Sequence, residues 1–151
     1  MTIGSILKQK KNEIYSVKGI SKLCDAIDEM NNKNVGALLV KDKKDNISGI
    51  ISERDIITKA CSKHINTDET EVNDVMTAID KLIIGTVNDT ISYAMHVMTN
   101  KKIRHLPIYD NEKLVGLISI GDVLKKVMDE NEAEVRLLKE YIKNPYGVNT
   151  P

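Results

Sequence analysis

The chain repeats itself, and this restricts its architecture more than any other property of the sequence. A repeated unit is a supersecondary piece that must bury its apolar face against a neighbour. The segment Ala26–Asp42, moved 68 positions along, meets Ala94–Asp110, and Ala, Met, Asn, Lys, Leu and Asp recur at matched places. After a one-residue gap in the next turn the offset falls to 67. Ile47-Ser48-Gly49-Ile50-Ile51-Ser52-Glu53-Arg54-Asp55-Ile56 then meets Leu114-Val115-Gly116-Leu117-Ile118-Ser119-Ile120-Gly121-Asp122-Val123.

Both copies read as strand, helix, strand, strand, helix. The first strands are expected at Ile14–Val17 and Leu82–Ile84. Leu23, Ala26, Ile27 and Met30 fall at helical spacing, as do Ile91, Ala94, Met95 and Met98, with Ser21 and either Asp89 or Thr90 as N-caps. An apolar strand follows at Ala37–Val40 or His105–Tyr109. Polar turns at Asp42–Asn46 and Asp110–Glu112 return the chain through Ile47–Ile51 or Leu114–Ile118. A second helix opens at Ser52 or Ser119. Pro107 inside a strand points to an edge position or to the strand's ligand-facing end. One copy, about 60 residues, buries too little surface to be comfortable alone. The expected division is an N-terminal helix over 1–12, a first repeat over 13–71, a linker over 72–78, a second repeat over 79–130 and a helical extension over 131–151. Ile3, Ile6 and Leu7 make a short apolar stripe in the first segment. Val135, Leu138, Tyr141 and Ile142 make one in the last, which needs a partner surface.

Composition narrows the function. Of 151 residues 41% are hydrophobic, and 22 basic residues balance 22 acidic ones. A neutral chain lacks the basic excess of a general nucleic-acid or anionic-membrane binder. With no Trp, no Phe and five Tyr, it has little from which to build base-stacking platforms. No apolar run approaches the ~20 residues that span a bilayer, and the first residues lack a signal peptide's apolar region. The expectation is a cytoplasmic protein with reduced thiols. Cys24 and Cys61 allow one disulfide but no disulfide scaffold. The two Cys and three His have no metal-ligand spacing. No phosphate-loop, HExxH, Gly-x-Ser-x-Gly or CxxC motif suggests an enzyme.

Several phrases resemble a known family. Gly49-Ile50-Ile51-Ser52-Glu53-Arg54-Asp55 in the first copy, Ile103-Arg104-His105-Leu106-Pro107-Ile108 and Gly116-Leu117-Ile118-Ser119-Ile120-Gly121-Asp122 in the second, and the linker Asp74-Val75-Met76-Thr77 look like a tandem pair of CBS domains, the Bateman module, of stand-alone type. The resemblance runs over about residues 10 to 130. It implies an α/β (α+β) fold of two β-α-β-β-α repeats related by a pseudo-twofold axis, with a short N-terminal and a long C-terminal helix. It also implies that adenine nucleotides, AMP foremost, then ADP, ATP, NAD-type dinucleotides or S-adenosylmethionine, bind in two clefts between the repeats. No resident cofactor is required. The module would form a homodimer and regulate another protein.

The residues carry this chemistry in a particular way. A carboxylate accepts two hydrogen bonds at once and so matches the paired hydroxyls of ribose. A hydroxyl three residues earlier, beside the free N–H groups of a helix start, suits phosphate. On spacing alone Ser119 and Asp122 are a capping box; in the family this carboxylate takes ribose. Gly121 leaves room for a ligand. Ser52 and Asp55 are the matching pair. Arg54 is either a phosphate contact or a solvated charge. Arg104 and His105 stand where the first copy has Gly36 and Ala37. The Arg fork suits phosphate, and His105 donates from either nitrogen or bonds to backbone. Adenine would lie against apolar and backbone groups of the early strands, with Val17, Ile84 and Thr86 as candidates. Thr77 is a plain linker residue that could reach phosphate. The competing reading is a structural or dimerisation module with vestigial clefts.

Overall fold

A computed structural model describes residues 1–11 and 13–143. The chain forms two compact units. One comprises Asn12–Ile84; the other joins Met1–Lys11 to the chain from Gly85 on. The N-terminal helix therefore belongs with the second copy, and residues 72–78, read as a linker, are built into the first.

The first unit holds β1 (Ser16–Lys18), α2 (Leu23–Lys33), β2 (Ala37–Lys41), β3 (Ile47–Ser52), α3 (Glu53–Asp55) and β4 (Thr77–Ala78), with sheet order β1-β2-β3-β4. β1 runs parallel to β2, and the other neighbours are antiparallel. Leu23, Ala26 and Met30 on one face of α2 pack on Leu38, Val40 and Ile51 of the sheet, and Val72 and Val75 close the cluster. Burying each Leu or Ile here contributes roughly 1.5–3 kcal/mol.

The second unit holds α1 (Ile3–Gln9), β5 (Gly85–Thr86), α4 (Ile91–Asn100), β6 (His105–Asp110), β7 (Lys113–Ser119) and α5 (Ile120–Lys143), with sheet order β5-β6-β7. Ile91, Ala94 and Met98 are buried where the first copy buries Leu23, Ala26 and Met30. Ile3, Ile6 and Leu7 of α1 are buried too. The Ile3 and Gly4 N–H groups donate to the carbonyls of Asp89 (2.8 Å) and Val87 (3.0 Å), which fastens α1 to this copy.

Gly49 and Gly116 occupy the same place in the two copies and show how the copies diverge. A Cβ at Gly49 would lie 2.3 Å from the Thr77 carbonyl of β4, and one at Gly116 would lie 2.5 Å from a methyl of Leu7 on α1. Both copies thus use a missing side chain to admit a covering segment. In the first it is a fourth strand, in the second a helix from the other end of the chain.

Several sequence expectations are corrected. Leu82–Ile84 is not a strand; β5 starts at Gly85. The reason lies in Pro107. In the first copy the Leu39 N–H donates to the Tyr15 carbonyl at 3.1 Å. The matching residue, Pro107, has no N–H to donate. For the same reason Pro107 is not on an edge strand: β6 is the middle strand, and the proline lies where β5 has not yet begun to pair. The first strand is Ser16–Lys18 rather than Ile14–Val17. Lys22, not Ser21, is the N-cap of α2, its N–H donating to the Asp25 carboxylate. Thr90 caps α4, accepting from the Tyr93 N–H at 3.0 Å. The helix opening at Ser52 is only α3, followed by a wide π turn over Ile56–Ala60 and a 3-10 turn over Cys61–Lys63. The Thr58 hydroxyl donates back to the Arg54 carbonyl and the Ser62 hydroxyl to the Thr58 carbonyl, bonds of the kind that bend helices.

Candidate functional site

The second unit assembles one cluster at the junction of β7 and α5. Ser119 is the last residue of β7, and Asp122 lies in the first turn of α5. The Ser119 N–H donates to Asp122 Oδ2 at 2.7 Å, and the Asp122 N–H donates to Ser119 Oγ at 3.1 Å. This is the reciprocal capping box, which satisfies two otherwise orphaned donors. Lys10, just past α1, adds a third partner. Its ammonium lies 2.7 Å from the same Oδ2 and also donates to the Leu117 carbonyl at 3.0 Å. Among the described residues nothing donates to Oδ1. Burial pushes the Asp122 carboxyl up, but the Lys10 ammonium and the Ser119 N–H outweigh it and hold the group below its ordinary value of 3.8.

Arg104 and His105 arrive beside this turn through the backbone. The Ile120 N–H donates to the Arg104 carbonyl at 2.9 Å, and His105 stands opposite Ser119 in the ladder. Arg104 is exposed and His105 half-buried. A Cβ at Gly121 would meet only Ser119 Oγ, at 3.5 Å. The fold does not require glycine there, and its absence of a side chain leaves the helix start open.

The first unit builds the matching turn and closes it more fully. The Glu53 N–H donates to the Gly36 carbonyl at 3.0 Å, the counterpart of the Ile120–Arg104 bond. Asp55 is 8% exposed, the one buried charged residue among those described. Its Oδ2 accepts from the Ser52 N–H (3.1 Å) and hydroxyl (3.0 Å). Its Oδ1 accepts from the Thr77 hydroxyl at 3.0 Å and pairs with Lys59 at 2.7 Å. Lys59 also reaches the Val75 carbonyl and the Thr77 hydroxyl. Both oxygens are therefore engaged. Glu53 and Arg54 are exposed on the same turn.

The other candidates lie on or just before the first strand of each copy. Val17 is half-buried on β1 and packs on the first core. Ile84 is 47% exposed just before β5. The Thr86 N–H is taken by the Asp89 carboxylate at 2.7 Å.

Three residues on the two carboxylates were not selected from sequence. Lys59 follows Asp55 by four, a helical pairing distance that signals it. Thr77 is no plain linker residue, since it lies on β4 and bonds to Asp55. Lys10 carries no local signal, because only the packing of α1 brings it to Asp122. Cys24 and Cys61 are free thiols, not a disulfide. Burial pushes the Cys24 thiol up, with the Asp68 side chain adding to it. Among the described residues no group of three or more His, Cys, Asp or Glu is placed to hold a metal ion. No described helix is long and apolar enough to cross a membrane.

Comparison with known proteins gives a consistent picture. The family model for the CBS domain matches twice, over residues 10–61 and 72–129. The mitochondrial CBS domain-containing protein CBSX3 of Arabidopsis thaliana is 37% identical over 124 residues, covering 81% of this chain but 60% of its own length. An uncharacterised 17.7 kDa protein of Acidianus ambivalens is 34% identical over 141 residues, covering 92% of this chain and 82% of its own. Among solved structures, a protein with CBS domains from Burkholderia ambifaria superposes with a TM-score of 0.80 at 38% identity, covering 85% of this chain and 95% of its own. A CBS-domain protein from Agrobacterium tumefaciens gives 0.77 at 27% identity, covering 83% of this chain and 98% of its own.

Proposed function

The chain belongs to the CBS-domain family, and from that premise we propose that it is a regulatory module that binds an adenosine-containing ligand, AMP foremost, and passes its state to a partner protein without catalysing a reaction. The observation that carries this reading is the half-buried carboxylate of Asp122 with Oδ1 open. It lies beside a helix start with no side chain at Gly121 and beside the backbone of Arg104. A carboxylate so placed accepts the two ribose hydroxyls, while Ser119, the amides of the first turn and the Arg104 fork suit phosphate. For both carboxylate oxygens to serve the ribose, Lys10 must release Oδ2.

A second reading is favoured by a specific observation. Both carboxylates hold lysines, and Asp55 has no oxygen free. A structural module with no nucleotide sensing would look like this.

Calorimetric titration with AMP separates the two. The expected result is saturable binding that Asp122→Ala weakens by about tenfold or more, the loss of one charge-assisted contact being roughly 1.5–3 kcal/mol. Because Ser119 and Asp122 also cap α5, the same variant should lose roughly 0.5–2 kcal/mol of stability. Loss of stability with unchanged affinity would establish the structural reading.

A further inference from the structure

The outer face of α5 has no cover within its own unit. The inner side is covered: Val123 is buried, and Lys126, Val127 and Glu130 are half-buried. From Asn131 to Lys143 every residue is exposed. A free helix of that length is marginal in water unless an apolar face is packed. The apolar residues on the outer side keep a seven-residue period. Met128, Val135 and Ile142 fall at one position of the heptad, and Leu124, Asn131 and Leu138 at the other. The five apolar members are between 48% and 77% exposed.

We propose that this face is the seam of a parallel, in-register, two-stranded coiled coil formed with a second copy of this chain over Leu124–Ile142. Three features on the helix choose this occupant. First, β-branched Val135 and Ile142 at a, with Leu124 and Leu138 at d, is the pattern that favours two parallel strands. Second, Glu134 falls at g and Lys139 at e, five residues later. In a parallel pair each Glu134 faces the partner's Lys139, so the charges are complementary when the helix meets itself. Third, the single polar residue in the seam, Asn131, falls at d and faces its own copy in the in-register parallel arrangement, where each amide has a donor and an acceptor for the other. Tyr141, which sequence spacing grouped with the stripe, flanks the seam at g. Most of the seam lies beyond residue 129, where the match to the CBS family model ends, so most of it is not part of the matched repeats.

The test uses the full chain. Sedimentation equilibrium at micromolar concentration should show a dimer. Leu138→Glu should weaken it by about tenfold or more while leaving the thermal unfolding of the units in place, since Leu138 is exposed. Glu134→Lys should weaken the dimer and added Lys139→Glu should restore it. For orientation, Cys24 and Cys61 are replaced by Ser and Leu138→Cys is introduced. Mild oxidation should then give a disulfide-linked dimer, because parallel strands put position 138 opposite itself. A monomeric wild type, a dimer indifferent to Leu138→Glu, or a Leu138→Cys variant that dimerises without cross-linking would each overturn the proposal. The last would mean an antiparallel or different interface.

Discussion

The two carboxylates occupy equivalent places in the repeat but are not equivalent residues. Asp55 is enclosed by Ser52, Thr77 and Lys59 of its own unit. Asp122 keeps a quarter of its side chain exposed and takes its cation from Lys10, 112 positions away along the chain. A pair this exposed is worth at most about 1 kcal/mol, and its contribution depends on pH in a definite direction. The folded Asp122 carboxyl is held below 3.8, so the stability it confers is fully present above the unfolded value. That stability is lost as pH falls through the folded one. Lys10→Met is therefore expected to destabilise the protein slightly at neutral pH, with the difference from wild type shrinking in acid as the pH falls through the lowered value of the folded carboxyl. Urea denaturation of both proteins at neutral pH and in acid measures this. A difference that does not change with pH would mean that Lys10 acts by packing its stem rather than through its charge.

At the scale of elements the repeat repeats its helix ends as well. The Val35 N–H donates to the Met30 carbonyl and the Ile103 N–H to the Met98 carbonyl, both at 3.0 Å. Each closure needs one left-handed residue, Asn34 (φ 53°) in the first copy and Lys102 (φ 54°) in the second. Asn tolerates that conformation and Lys does not, at a cost of roughly 1–2 kcal/mol for an ordinary side chain. Lys102→Gly should accordingly stabilise the protein by about 0.5–1 kcal/mol, read as a higher midpoint of chemical denaturation. No gain would show that contacts of the Lys102 side chain offset the backbone strain. The helices, hairpins and apolar faces of this fold were legible because their signals are local: Met30 and Met98, the Asp110–Glu112 turn, and the Ser-x-x-Asp starts. What sequence did not disclose depends on tertiary placement. Pro107 sits mid-sheet because its missing N–H falls where β5 has no partner strand residue. Thr77 becomes a strand residue because Gly49 admits its backbone. Lys10 reaches Asp122 because Gly116 admits Leu7.

Over the whole molecule, the asymmetry between the copies bears on how many ligands the proposed module would take. The second copy combines an open carboxylate oxygen on Asp122, the absence of a side chain at Gly121 and the Arg104-His105 pair at the adjoining strand end. The first combines a closed Asp55, the acidic Glu53 and the side-chain-poor Gly36-Ala37 in the matching place. If both carboxylates receive ribose, the one in the first copy must break a half-buried ion pair and a hydroxyl bond to do so, and it has no equivalent of Arg104 at its strand end. A single charge-assisted phosphate contact, roughly 1.5–3 kcal/mol, separates two sites by about 10- to 150-fold in affinity. AMP titrated calorimetrically into the wild type should therefore fill one site tightly, and a second only at much higher concentration. Asp122→Ala should abolish the tight phase and Asp55→Ala should spare it. Arg104→Ala should weaken AMP markedly and adenosine little, since adenosine carries no phosphate. Two sites of equal affinity, or equal losses for AMP and adenosine on removing Arg104, would show that the difference between the copies is not read by the ligand.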